Sequence, residues 1–379
     1  MNSGHTYLCV VAGSCALFVE SVSATLVEDD RKYQPLIDQA VSAGLPGVQA
    51  FVRKGESRWS GTAGFASVEN DQPMMAADRL RLASLTKMMT SAVTLELVKL
   101  GRFQLTDRAV ALLPPGALTG VPHAEEITVA HLLDHTSGLH NFNGEDGQDF
   151  FADLFSDPRR GSRSWTNVEL LAYTKKPGHP PTGRPGEKVS YSSTGYIVLE
   201  MILEHREGKP FAQLFREVLF VPLKMKTAGV EGADFRAAEI GDSYARPQAA
   251  DKKPPSPFLG RKSIRPDGLV NLSAGLEHYN AWARAAGAVA ASAEDLGTFM
   301  YAVVTGRFAV MTNQPAEFAR TKLKAGALFD WNGGSRGIQT TILYEPNRDL
   351  TVIVLTNASN AETSSHDIAK QLLEAAHKT

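Results

Sequence analysis

Cysteine is nearly missing from this chain of 379 residues: there are two, Cys9 and Cys15, and both lie near the N-terminus. Beyond that point no disulfide and no cysteine chemistry is available. A surplus of charge of either sign is also missing, since 39 Lys and Arg face 41 Asp and Glu for a net charge of -2. That balance offers no electrostatic attraction for nucleic acid or for an anionic membrane surface. No fixed-period repeat is visible, which argues against a solenoid or propeller. What is present is an ordinary globular balance, 43% hydrophobic and 21% charged, enough for a sizeable core in one large domain or two intimate lobes. The expected partner is a small molecule or a short peptide.

Tyr7 to Val19 is an apolar stretch about as long as a signal-peptide core, and Val22-Ser23-Ala24 supplies the small residues of a cleavage site before Thr25. It is too short to span a bilayer. The Lys or Arg that usually precedes an export signal is missing, so a frayed or buried apolar N-terminus is the competing reading, and a lipid anchor on Cys15 is a weaker one. We expect residues 1–24 to be a signal peptide and the remainder to work in the periplasm or outside the cell.

Asp29 to Ala43 carries Tyr33, Leu36, Ile37, Ala40 and Val41 at helical spacing, with Gly44 as a stop. Gly47 to Arg53 and Arg58 to Ala66 are strands around a Lys54-Gly55-Glu56 turn. The far end mirrors this, with strands Ile338 to Tyr344 and Leu350 to Thr356 followed by a helix from Asp367 to Ala376. Two strands alone bury too little surface, so both ends must share one antiparallel sheet. Between them, Gly101 to Ser273 is rich in Pro, Gly and short helical patterns, with Pro-rich connections at Lys176 to Pro185 and Lys252 to Pro257. The expectation is an α+β sandwich, with a sheet lobe from 25–100 plus 274–379 and a mainly helical lobe from 101–273. Helices Ser84 to Leu100, apolar on most faces, and Ser292 to Val304, with Ser292 as N-cap and Asp295 at N3, flank the insertion.

Ser84-Leu85-Thr86-Lys87 puts a hydroxyl and an amine on one face at the start of a buried helix. Serine needs a base to become a nucleophile, and lysine can be that base once desolvated. The helix start also aims backbone N–H groups at any oxyanion formed there. Ser84 has Lys at that offset and no other serine of the chain does.

Other segments join this motif in a recognisable order. Ile127 to Leu139, Tyr191-Ser192-Ser193-Thr194-Gly195-Tyr196, Pro222-Leu223-Lys224-Met225 and Ala285-Ala286-Gly287 through Asp295-Leu296, together with Ser84 and Lys87, resemble the serine β-lactamase and penicillin-binding-protein superfamily, in its class C β-lactamase-like esterase and peptidase branch. The resemblance implies a β-lactamase/transpeptidase-like fold and a hydrolase that cleaves an ester or amide through a Ser84 acyl-enzyme. Tyr191 would share the proton with Lys87 and pass it to the leaving group. Trp331-Asn332-Gly333-Gly334 best matches the third family motif, so the N–H of Gly334 would join that of Ser84 in the oxyanion hole. An indole stands where a cationic or polar group is usual, and Ser193 stands where Asn is frequent. Both departures weaken a dedicated β-lactamase or D-alanyl-D-alanine carboxypeptidase. Ser193, Trp331, Asn332, Gly333 and Arg336 are the expected substrate-binding residues, Arg336 as a carboxylate clamp. No metal or organic cofactor is required by this scheme, and the substrate is a small ester or a short peptide or amide.

Three readings compete. Gly333-Gly334-Ser335-Arg336-Gly337 fits a GxSxG elbow, with Asp349 and His366 following, but an elbow needs a helix after the serine and Ile338 to Leu343 is β-rich. His131 and His135, four apart, approximate a zinc-enzyme pattern on a helix; the plainer reading is that they hydrogen-bond to backbone and fix the turn at Ser137-Gly138. A catalytically silent binding protein would have no reason to retain Ser84, Lys87 and Tyr191 together.

Overall fold

The β-branched runs near the two ends of the chain become the centre of the molecule. The computed structural model describes residues 29–144, 148–161, 163–247, 262–273, 281–311 and 328–378. The expected signal segment with both cysteines and the Lys252 to Pro257 connection lie outside the described residues. Helix α1 covers 29–42, and Gly44 follows at φ 102°. Strands β1 (Gly47–Lys54) and β2 (Ser57–Ser67) form a hairpin, and β3 (Gln72–Pro73) pairs with β2. From the other end come β4 (Phe329–Ser335), β5 (Ile338–Glu345) and β6 (Leu350–Thr356). They complete an antiparallel six-stranded sheet in the order β3-β2-β1-β6-β5-β4. The termini thus meet at β1 and β6, where Val48 faces Thr356 and Val52 faces Val352.

Side chains alternate across a strand, so β6 feeds two cores. Leu350, Val352 and Val354 pack with Tyr33 and Ile37 of α1 and with Ile368 and Leu372 of helix α6 (Ser365–His377). Ile353 and Leu355 point the other way, toward Met88, Met89 and Val93 of α2 (Thr86–Lys99) and Leu296 and Phe299 of α5 (Ala293–Val304). Each such side chain contributes about 1.5–3 kcal/mol of burial, so a charge on either face of β6 would have no solvent outlet. From Thr86 to Thr94 every residue of α2 is buried, and its hydroxyls are satisfied internally: Thr90 Oγ1 donates to Ala285 O at 2.5 Å and Thr94 Oγ1 to Thr90 O at 2.8 Å. Ser292 caps α5 by accepting the Asp295 N–H at 3.2 Å. The Asp295 carboxylate turns instead to Thr227 N and Oγ1, both at 2.6 Å, tying the helix to the chain that follows Met225.

The region between β3 and β4 supplies helices α2 and α5 as well as α3 (Val129–Leu133) and α4 (Ser193–Glu207), joined by long irregular connections. It also holds short strands that the sequence pattern did not announce. Gly229–Val230 pairs with Val289–Ala291, which also pairs with Leu80–Arg81, and Tyr244–Ala245 lies between Val270–Asn271 and Ala358–Ser359. Runs of two or three residues carry no alternation to read. A buried bidentate ion pair braces the first of these small sheets: Arg81 Nε and Nη2 each lie 2.9 Å from the Glu231 carboxylate.

Candidate active site

Ser84 lies in a single 3₁₀ turn, Ala83–Leu85, immediately before α2. The turn is held from below, with Leu82 N–H donating to Val289 O at 2.9 Å and Val289 N–H to Thr86 Oγ1 at 3.1 Å. Ala83 adopts φ 47°, a left-handed conformation uncommon for alanine. One turn on, Lys87 is 5% exposed. Its Nζ lies 3.3 Å from Ser84 Oγ and donates to Ala286 O at 2.8 Å. The aromatic faces of Tyr191 and Tyr196 stand 4.9 and 5.5 Å away. The amine therefore meets a hydroxyl, a carbonyl and two rings rather than a carboxylate. Burial holds the Tyr196 phenol well above its ordinary range, and its OH donates to Leu133 O at 3.0 Å.

Tyr191 arrives from the loop before α4 and donates its OH to Ser84 Oγ at 2.7 Å. Its ring is 39% exposed and so faces the mouth of the site. His135 sets its position from both sides. The His135 carbonyl accepts the Ser190 N–H at 2.7 Å, its Nδ1 accepts the Ser192 N–H at 3.1 Å, and its ring stacks on Tyr191 at 4.5 Å and 29°. Accepting at Nδ1 requires the neutral tautomer protonated at Nε2.

This geometry corrects the paired-histidine reading. Helix α3 ends at Leu133 and His135 takes φ 61°, so the two rings do not share a helix face. His131 Nδ1 accepts the Thr128 N–H at 3.3 Å in a capping box and His135 Nδ1 accepts the Ser192 N–H, so both side chains bond to backbone, as the plainer reading expected. Among the described residues no group of three or more His, Cys, Asp or Glu is arranged to hold a metal ion. The GxSxG alternative also fails on geometry. Ser335 is followed by a two-residue turn and β5, not a helix. Asp349 lies past the far end of β5, about 25 Å away along an eight-residue strand, where it pairs with Arg53.

β4 is the edge strand of the sheet beside the Ser84 turn. Gly333 makes this approach: a Cβ there would lie 2.5 Å from Leu82 O and 3.1 Å from Leu85 N. At Gly334 the nearest atom to such a Cβ would be 4.0 Å away, so this position opens outward. Trp331, half-buried, stacks on Phe329 at 5.5 Å. Asn332 does not join the group: its Oδ1 accepts Thr341 Oγ1 at 2.8 Å, and Thr341 reaches Ser365 of α6 on the other face of the sheet. The period-2 alternation that puts Trp331 and Gly333 toward Ser84 turns Asn332 away. Ser193, expected to contact substrate, is 3% exposed and gives its N–H to Oδ1 of the half-buried Asn141 at 2.9 Å. Arg336 sits in the β4–β5 turn. The sequence reading singled out neither Asn141 nor the Ala286 carbonyl, and only the histidine spacing drew attention to His135.

Known proteins resemble this chain. Over 184 residues the chain is 30% identical to the D-alanyl-D-alanine-carboxypeptidase/endopeptidase AmpH of Escherichia coli (strain K12), covering 48% of this chain and 45% of that protein. Over 355 residues it is 26% identical to the D-aminopeptidase of Cereibacter sphaeroides (strain KD131), covering 90% of this chain and 62% of that one. The chain thus spans about half the length of the first relative and under two thirds of the second. Among solved structures, the D-amino acid amidase of Ochrobactrum anthropi SV3 superposes with a TM-score of 0.74 at 23% identity, covering 92% of this chain and 99% of that one. The model of the Beta-lactamase family matches residues 30–377, nearly the whole length on which this fold and this cluster are built, and the chain belongs to that family.

Proposed function

We propose that the protein is a serine hydrolase that cleaves an ester or amide bond through an acyl-enzyme on Ser84. The observation that carries the reading is the meeting of three groups from distant parts of the chain, with Ser84 Oγ 2.7 Å from the Tyr191 hydroxyl and 3.3 Å from the Lys87 amine. Ser84 attacks the carbonyl while Lys87, in its uncharged form, takes the proton with help from Tyr191. The oxyanion sits between the N–H groups of Ser84 and Gly334. Tyr191 protonates the leaving group, and a water activated by the same pair later frees the acid.

The D-aminopeptidase relative covers 90% of the chain, which favours small amides and short peptides, esters being chemically easier versions of the same acyl transfer. Trp331 brings no positive charge to a substrate carboxylate, and this argues against β-lactam or D-Ala-D-Ala substrates; Arg336 is the residue on which that second reading depends. Export to the periplasm or beyond is the reading of the Tyr7 to Val19 segment. Among the described residues no helix is long and apolar enough to cross a membrane.

The test is active-site mass spectrometry after short exposure to nitrophenyl esters, D-amino-acid nitroanilides and nitrocefin, with wild type and Ser84→Ala in parallel. Wild type should gain the acyl mass on Ser84, and the variant should lose several orders of magnitude in rate. An acylated or fully active Ser84→Ala would end the proposal.

A further inference from the structure

Glu200, in the middle of α4, is fully buried at 0% exposed and has no part in the chemistry proposed above. Its carboxylate collects donors from three directions. Arg284 offers Nε at 2.6 Å and also Nη2, Asn167 offers Nδ2 at 3.0 Å, and the Ala285 backbone offers its N–H at 2.8 Å. A buried charge is tolerated only when paired and hydrogen-bonded in this way. Arg284 is itself unusual, with φ 47° and ψ -135°, a conformation that L residues rarely adopt. Its Nη1 donates to Trp165 O at 3.2 Å, and its Nη2 also lies 3.9 Å from Glu204. A strained backbone persists where its surroundings over-determine it: here Glu200 holds the side chain, and the Gly287 and Ala288 N–H groups hold the Arg284 carbonyl at 3.0 and 2.8 Å.

The peptide fixed by this pair runs directly to the amine. Ala285 O accepts Thr90 Oγ1 at 2.5 Å, and Ala286 O accepts Lys87 Nζ at 2.8 Å. One N–H held by Ala286 stops rotation about the Cε–Nζ bond and leaves the lone pair a fixed direction, with Ser84 Oγ 3.3 Å away. We propose that Glu200 and Arg284 are positioning residues for acylation, their ion pair locking the Arg284-to-Ala286 segment whose last carbonyl aims the Lys87 amine at Ser84. The proposal rests on the reading of Lys87 as the base for Ser84. Without the Glu200 carboxyl oxygens to accept from Arg284 and the Ala285 N–H, the backbone of Arg284 relaxes, the Ala286 carbonyl shifts, and the amine loses its aim. A misplacement of about 1 Å at reacting atoms costs on the order of a hundredfold in rate.

The experiment measures the rate and pH profile of fluorophosphonate labelling, and kcat and KM on nitrophenyl acetate, for wild type, Glu200→Gln, Thr90→Val, Thr90→Ser and Ser84→Ala. Glu200→Gln and Thr90→Val should each label at least about tenfold more slowly, with a displaced pH midpoint and KM within about twofold. Thr90→Ser keeps the hydroxyl and should restore the wild-type rate. Thr90→Val is nearly isosteric, so it reports on the peptide even if Glu200→Gln does not fold. Wild-type rate and pH midpoint in Thr90→Val, or in a folded Glu200→Gln, would overturn the positioning role. Labelling of Ser84→Ala at the wild-type rate would instead remove the nucleophile assignment, whatever Glu200 does.

Discussion

Replacing Tyr191 by Phe removes one oxygen from the site and little else. The hydroxyl donates to Ser84 Oγ at 2.7 Å, whereas the ring makes the 4.5 Å stack with His135 and the 4.9 Å contact with the Lys87 amine. Those ring contacts survive in phenylalanine. The residue is 39% exposed, so loss of a single hydrogen bond should change stability by less than about 1 kcal/mol. A positioned acid or base is worth about 10²–10⁴-fold, or roughly 3–5 kcal/mol of barrier. Because the proposed task of the phenol is to protonate the leaving group, the loss should be larger on an anilide, whose leaving amine needs a proton, than on a nitrophenyl ester, whose leaving group departs as an anion. Stopped-flow hydrolysis of a matched ester and anilide, with thermal unfolding alongside, separates these effects. A fall of less than about threefold on both substrates in a folded variant would refute proton transfer by Tyr191.

Two neighbouring glycines should behave differently. Gly333→Ala places a methyl 2.5 Å from Leu82 O and 2.4 Å from Thr340 Oγ1, and denaturant unfolding should show a loss of about 1–3 kcal/mol, while Gly334→Ala, in open space, should stay within about 0.5 kcal/mol. Glu231→Ala strands the buried Arg81 guanidinium and should cost about 3–5 kcal/mol in the same assay. Burial pushes the Glu200 carboxyl up from 4.5 to about 7 against the pull of Arg284. The folded state therefore binds the extra proton, and this contribution to stability is complete below about pH 4.5 and lost as pH rises through about 7. Urea titrations at pH 5 and pH 8 should show wild type losing roughly 3 kcal/mol relative to Glu200→Gln across that window; parallel pH dependence in the two proteins would contradict it.

The sheet was legible because its signals are local. β1, β2, β5 and β6 are apolar, β-rich runs bounded by Gly or Pro turns, and all four lie within a residue or so of the expected limits. Their joining into one sheet followed from the surface that two isolated hairpins cannot bury. What escaped was set by partners far along the chain. The helix expected to carry both His131 and His135 stops at Leu133, because His135 takes a left-handed conformation from which it holds Ser190 and Ser192. Asn332 was assigned by motif position, although the alternation of its own strand turns it toward α6. Glu200 read as one more polar residue on a helix, since nothing local marks it as the partner of Arg284, 84 positions later.

The strand order has a consequence for biogenesis. β1 and its hairpin partner emerge from the ribosome early, yet the strand that must lie against β1 is β6, formed by residues 350–356. Until that stretch is made, one edge of the hairpin is unpaired and α1 and α2 lack the β6 side chains they pack against. Closing so long a loop is slow compared with forming local contacts, so the sheet is completed only after residues 350–356 have been made. Until then the exposed edge of β1 is where holdase chaperones should bind.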